Sequence, residues 1–220
     1  TPRLSSAASD VYKRQYYGYG TMGLTPTNNK VDVSISCWEW KMGESKAGKF
    51  SGAKCKISKW VRIDSKSQPM KAKSAANYSN AALARMEALN AGYDEAIMLN
   101  NKGHVAEGSA ENIFVVKNGR ITTPPLDADI LDGITRDSAI KLLKSNKIKV
   151  IEKNLKINDL LKADEIFMTG TAAEVKSVTR VNKTKIGNGK IGEVTKELQE
   201  SFMDTVMGKN KKFRSWLKFI

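Results

Sequence analysis

Polar and apolar residues alternate from Val31 to Cys37: Val31, Val33, Ile35 and Cys37 face one way, Asp32, Ser34 and Ser36 the other. A period of two predicts a half-buried strand. A second strand is predicted over Cys55–Ile63. From Asn77 to Asn90 the period lengthens, with Ala81, Leu83, Ala84, Met86 and Leu89 recurring every three or four residues. This predicts a helix with Asn77 at its N-cap and Gly92 ending it. Short strands follow at Glu95–Leu99, His104–Glu107, Asn112–Lys117 and Arg120–Thr123, with turns at Asn101–Gly103 and Asn118-Gly119 and a break at Pro124-Pro125. Thr135–Ser145 reads as a helix, Lys147–Glu152 as a strand, and Asn158–Leu161 as a helical turn. Strands at Glu165–Thr169, Val175–Val181 and Lys185–Ile186 lead to a last helix at Gly192–Met207. Strands outnumber helices and their order is mixed, which predicts α+β with a largely antiparallel or mixed sheet.

Two segments carry no periodicity. Residues 1–15 resemble a translated sequencing-adapter tail, so native sequence is expected to begin near Tyr16. Residues 41–52 are polar and Gly-rich and read as a connector between domains.

Composition narrows the chemistry. No apolar run approaches the roughly 18 residues of a membrane span, and the first 20 residues lack the apolar segment of a secretory signal. Cys37 and Cys55 have no metal-ligand spacing and read as reduced thiols of a cytoplasmic protein. His104 is the only histidine, which argues against a His-rich metal site or a Ser-His-Asp triad. The net charge of +14 comes from lysines scattered among acids, densest at Lys209–Arg214. It favours anionic substrates or cofactors, with a basic nucleic-acid-binding protein as the alternative from another class.

Four segments could carry chemistry. In GHVAEGSAENIFVVKNG, residues 103–119, Glu107 and Glu111 precede an apolar run. In PMKAKSAANY, Lys73 is followed by small residues; a partly buried lysine beside other cations loses its proton readily and attacks carbonyls. In LDGITRDS, Gly133 leads into Ile134-Thr135 and a helix start, a natural phosphate cup. In MTGTAAE, a strand ends in the small, donor-rich Gly170-Thr171-Ala172-Ala173. An amine, an acid and a phosphate cup are the parts that pyridoxal 5'-phosphate requires.

With those residues in place, the chain resembles the class IV aminotransferases, most closely the branched-chain type. The family signature runs unbroken through Glu107, Ser109, Asn112-Ile113-Phe114, Ile121, Thr123, Leu131, Gly133-Ile134 and Arg136. The resemblance covers about Tyr16–Leu217 and implies a fold-type IV enzyme. Residues 16–40 would be a remnant of a small N-terminal domain and 53–220 the large cofactor-binding domain. It implies that Lys73 is the Schiff-base lysine, that Tyr78 bonds the phenolic oxygen of the cofactor, and that Glu107 partners its pyridine nitrogen. Leu131 would pack on the ring, Ile134, Thr135 and Thr171 would hold the phosphate, and Ala172 and Ala173 would receive the substrate carboxylate. Glu111 matches no direct role and reads as structural. The implied reaction is ping-pong transamination between Leu, Ile or Val and 2-oxoglutarate in a cytoplasmic homodimer, without metal, membrane or nucleic acid. D-amino acid aminotransferase and aminodeoxychorismate lyase are the alternatives within the family. The Arg-Pro element expected before YYGYG is replaced, Lys41-Met42-Gly43 departs from the usual connector, and Asp132 stands where proline is common. Most of the N-terminal domain is also missing from the pattern, which predicts weak or no turnover for these 220 residues alone.

Overall fold

Backbone pairing needs no hydrophobic period of its own, and the first element shows it. In the computed structural model, which describes residues 9–39 and 52–218, the strand Ser9–Tyr17 (β1) pairs antiparallel with Val31–Glu39 (β2). β1 runs through a segment whose sequence predicts no element; its register, from Ser9 opposite Glu39 to Tyr17 opposite Val31, is set by β2. Gly18 N–H donates to the Lys30 carbonyl at 2.7 Å and Asn29 Nδ2 to the Gly18 carbonyl at 3.1 Å, closing the loop between the strands. β2 forms as predicted, but its apolar face is not half-buried: Val31, Val33 and Ile35 are all more than half exposed. The chain divides into two compact units between Lys49 and Phe50. The segments 1–8 and 40–51, with most of the predicted connector and the Lys41–Gly43 departure, lie outside the described residues.

The second unit is built on a mixed sheet. Its strands are Ala53–Ile57 (β3), Glu95–Leu99 (β4), Val105–Gly108 (β5), Asn112–Lys117 (β6), Arg120–Thr123 (β7), Val150–Glu152 (β8), Glu165–Gly170 (β9), Glu174–Val181 (β10) and Thr184–Lys185 (β11). Their spatial order is β5-β4-β3-β10-β9-β6-β7-β8, with β11 on β10. The pairs β3–β4, β3–β10 and β7–β8 are parallel and the others antiparallel. The predicted strand from Cys55 stops at Ile57, because Glu87 draws the chain aside by accepting from Ser58 Oγ at 2.7 Å and Lys59 N–H at 3.1 Å. β8 is shorter than predicted because Lys147 adopts a left-handed turn with φ 61°.

The helices are Ala75–Asn90 (α1), Ile134–Ser145 (α2), Ile157–Leu161 (α3) and Glu193–Val206 (α4), followed by a 3-10 helix at Lys211–Trp216 that has no counterpart in the predicted elements. α1 is capped by Ser74, whose Oγ accepts from Ala76 N–H, and not by Asn77. Asn77 lies inside the first turn, buried, and its Nδ2 donates to the Ala72 carbonyl at 3.2 Å.

β6 is apolar at consecutive positions because both its faces are covered. Ile113 and Val115 join a cluster with Cys55, Ile97, Leu160, Ile166 and Met168. Phe114 and Val116 join a second with Ile140, Leu142, Leu143, Phe167 and Leu198, where α2 and α4 pack. Phe114 stacks on Phe167 with ring centroids 4.8 Å apart. β5, at the far end of the pairing order, returns beside β6 through a turn in which Gly108 N–H donates to the Glu111 carbonyl at 2.6 Å. That return sets Glu107 beside Asn112.

Candidate functional site

Glu107 sits on β5 inside this curl and is 4% exposed. Three groups donate to its carboxylate. Arg62 Nη2 lies 2.7 Å from Oε1, and Asn112 Nδ2 and Leu131 N–H each lie 3.1 Å from Oε2. None of these donors can accept a proton, so the arrangement fits the ionised carboxylate. Burial pushes the group up to about 7, while the charge of Arg62 and the Leu131 N–H pull it down. A buried acid titrating near neutrality beside a fixed cation is a common mark of a working site.

Arg62 lines the same pocket as Glu107, a place that the sequence pattern hid. It falls in Trp60-Val61-Arg62-Ile63, inside the predicted strand, where a charge reads as the wet face. The segment instead follows β4, with Arg62 N–H donating to the Leu99 carbonyl at 2.8 Å, and the guanidinium turns inward to 6% exposure. The signal available was a lone charge within an aromatic and apolar run. Its Nε and Nη1 are buried without a partner among the described residues.

A pocket of about 40 Å³ opens here, lined by Arg62, Lys73, Tyr78, Glu107, Asn112 and Leu131, with Asn77 and Glu111 also on its wall. Of the expected site residues, Lys73, Tyr78, Glu107 and Leu131 therefore meet. Lys73 departs from expectation in one respect: it is exposed at the mouth and not partly buried. Lys73 follows Ala72, whose carbonyl Asn77 holds, and the preceding loop is fixed by Asp129 Oδ1 accepting from Ser65 N–H at 2.9 Å.

Ile134, Thr135, Thr171, Ala172 and Ala173 do not line this pocket. Ile134 and Thr135 open α2, whose N-cap is Gly133 with no side-chain cap, so the first amides of the helix have no acceptor within it. Ile134 is 85% exposed and Thr135 9%. Thr171 and Ala172 are exposed and Ala173 half-buried in the turn between β9 and β10. Asn112 pairs with Thr169 across β6 and β9, so this turn leaves the sheet from the strand position beside the acid. Glu111, expected to be structural, lines the pocket too. Burial pushes its carboxyl up to about 7, helped by the charge of Glu95, and among the described residues its one hydrogen-bond donor is the neighbouring Ala110 N–H at 3.1 Å.

The residues of this pocket fit pyridoxal 5'-phosphate. An ionised acid with only donors around it suits a pyridine N–H, the unpaired buried guanidinium hydrogens of Arg62 suit a polar group, and the Lys73 amine stands at the mouth with no hydrogen bond or ion pair among the described residues.

Similarity to known proteins agrees with the geometry. The family model described as amino-transferase class IV matches residues 7–181. A probable branched-chain-amino-acid aminotransferase of Aquifex aeolicus is 44% identical over 216 residues, covering 98% of this chain and 69% of its own length. The branched-chain-amino-acid aminotransferase of Pseudomonas aeruginosa is 40% identical over 201 residues, covering 91% of this chain and 65% of its own. The chain thus spans about two thirds of the length of these relatives. Among solved structures, the T.th. branched-chain amino acid aminotransferase with pyridoxamine 5'-phosphate superposes with a TM-score of 0.90 at 37% identity, over 96% of this chain and 69% of that one. The Thermoproteus uzoniensis branched-chain aminotransferase with norvaline superposes with a TM-score of 0.89 at 33% identity, over 96% and 68%. From the acid on β5 to the helix start at Gly133, the fold and the relatives agree: this chain belongs to the class IV aminotransferases, enzymes whose cofactor is pyridoxal 5'-phosphate.

Proposed function

We propose that the chain moves an amino group between the branched-chain amino acids Leu, Ile and Val and 2-oxoglutarate. The observation that carries the site assignment is the pocket that joins Lys73, Tyr78 and a triply donated Glu107. The named activity of the relatives carries the choice of substrate. When bound, the cofactor supplies an electron sink for the pair left on the substrate Cα.

The residues of the chain would do the rest. Lys73, free at the mouth, would hold the cofactor covalently. Once displaced by the substrate amine, it would take the proton from Cα as a general base. Tyr78 would orient the cofactor through its phenolic oxygen. Glu107, kept ionised by Arg62, would hold a proton on the pyridine nitrogen, and Leu131 would pack on the ring. The first amides of α2, with Thr135 and Thr171, would bind the phosphate. Ala172 and Ala173 would receive the substrate carboxylate. The resemblance also carries a cytoplasmic homodimer, which light scattering on the purified chain tests for assembly.

The test is an amino-donor assay with 2-oxoglutarate as acceptor. However slow the turnover, L-Leu should yield at least tenfold more glutamate than D-Ala, and Lys73→Ala should abolish it. Preference for D-Ala, or release of pyruvate from aminodeoxychorismate, would overturn the branched-chain assignment.

A further inference from the structure

β6 opens on a polar residue where the rest of its core-facing positions are apolar. Asn112 is 5% exposed, and a buried amide is costly unless its hydrogens are used. Both hydrogens of Nδ2 are used: one meets Glu107 Oε2 at 3.1 Å, the other the Leu131 carbonyl at 2.9 Å. Leu131 N–H returns to the same Oε2 at 3.1 Å. Three elements are thereby closed into one ring: the acid of β5, the first residue of β6, and the loop that enters α2. On its other side, Asn112 Oδ1 lies against Gly133, the N-cap of α2, where a Cβ would overlap it.

We propose that Asn112 is a positioning residue that ties the Glu107 carboxylate to the start of α2, so that the acid and the helix amides hold one fixed spacing. The inference deepens the function proposed above, since it gives that spacing a purpose: the acid and the helix amides would receive two groups of one small molecule, a ring nitrogen and a phosphate, at the same time. The amide also sets the charge of the acid. It presents a donor to Oε2 where an acceptor would oppose the ionised form. The other charged or titratable groups on the pocket wall are Arg62, Lys73, Tyr78 and Glu111, and of these only Arg62 bonds Glu107.

The experiment follows the Glu107 carboxyl carbon by NMR titration in the cofactor-free chain, with the resonance assigned by its loss in Glu107→Gln. Asn112→Ala should raise the midpoint by about one pH unit, a tenfold gain in proton affinity. Asn112→Asp, nearly the same shape but with an acceptor facing Oε2, should raise it further. Gly133→Ala, which leaves Asn112 in place but pushes on Oδ1, should shift it in the same direction. A purely structural Asn112 would tolerate Asp better than Ala and leave the midpoint alone. In parallel, Asn112→Ala should weaken binding of pyridoxal 5'-phosphate at least tenfold and of pyridoxal, which lacks the phosphate, by less. An unchanged Glu107 midpoint in folded Asn112→Ala and Asn112→Asp overturns the proposal. Should Asn112→Ala fail to fold, Asn112→Asp and Gly133→Ala decide it. If the parent chain binds no pyridoxal 5'-phosphate, the proposed function fails while the titration still judges Asn112.

Discussion

Glu107 and Glu111 stand four positions apart, both burdened by burial, yet they are served differently. Glu107 receives Arg62, Asn112 and Leu131, whereas Glu111 receives one backbone N–H and faces the like charge of Glu95. The first network offers three donors to the ionised form and the second one, while burial pushes both carboxyls up to about 7. Glu107→Gln should leave the cofactor attached to Lys73 but lower kcat, on the order of a hundredfold, because an amide does not hold a proton on the pyridine nitrogen; steady-state kinetics with L-Leu measure it. Glu111→Gln acts on stability instead. The folded carboxyl titrates at about 7 against an ordinary 4.5. The folded chain therefore binds this proton more tightly than the unfolded chain. Its contribution is full below about pH 4.5 and is lost as pH rises through about 7. Glu111→Gln should flatten the fall in melting temperature over that window, and an unchanged slope would show that Glu111 does not titrate there. The two roles were partly legible in sequence. Glu107 was marked by the signature around it, but Arg62 was not, because a curled sheet brings it inward from a segment that reads as strand surface.

At the scale of elements, β9 links the core to the site. Its first residue, Glu165, accepts from Val194 N–H at 3.1 Å, Thr195 N–H at 2.9 Å and Thr195 Oγ1 at 2.7 Å. α4 has Gly192 as its N-cap and no side-chain cap of its own, so a carboxylate from a distant strand serves in its place. Glu165→Ala should cost about 1–2 kcal/mol, read as a lower urea midpoint with little change in cofactor affinity. A loss confined to cofactor binding would contradict this reading. Periodicity found α4, β6 and β9 because each carries its signal locally. It placed the start of α1 at Asn77 because Asn is a good cap in isolation, whereas Ser74 takes that position and Asn77 serves the loop before Lys73. It passed over β1, whose order comes from its partner strand.

At the scale of the molecule, the second unit gathers its chemistry where β5 returns to β6, and supports it with two apolar clusters on the faces of one mixed sheet. The excess of positive charge, scattered along the sequence, has a counterpart in that pocket: a buried Arg62 and an exposed Lys73 on its wall. Among the described residues no helix is long and apolar enough to cross a membrane. The amine, phenol and acid converge on this pocket, while the helix start at Ile134 and the turn at Thr171–Ala173 lie off its wall and are tied to it through Asn112. The central claim is therefore that Lys73, among all the lysines of a basic chain, is the one that holds the cofactor. Incubation with pyridoxal 5'-phosphate, borohydride reduction and peptide mass spectrometry tests it directly. The account predicts a pyridoxyl phosphate adduct on Lys73 in the parent chain and none at that peptide in Lys73→Ala; an adduct concentrated on any other lysine would contradict it.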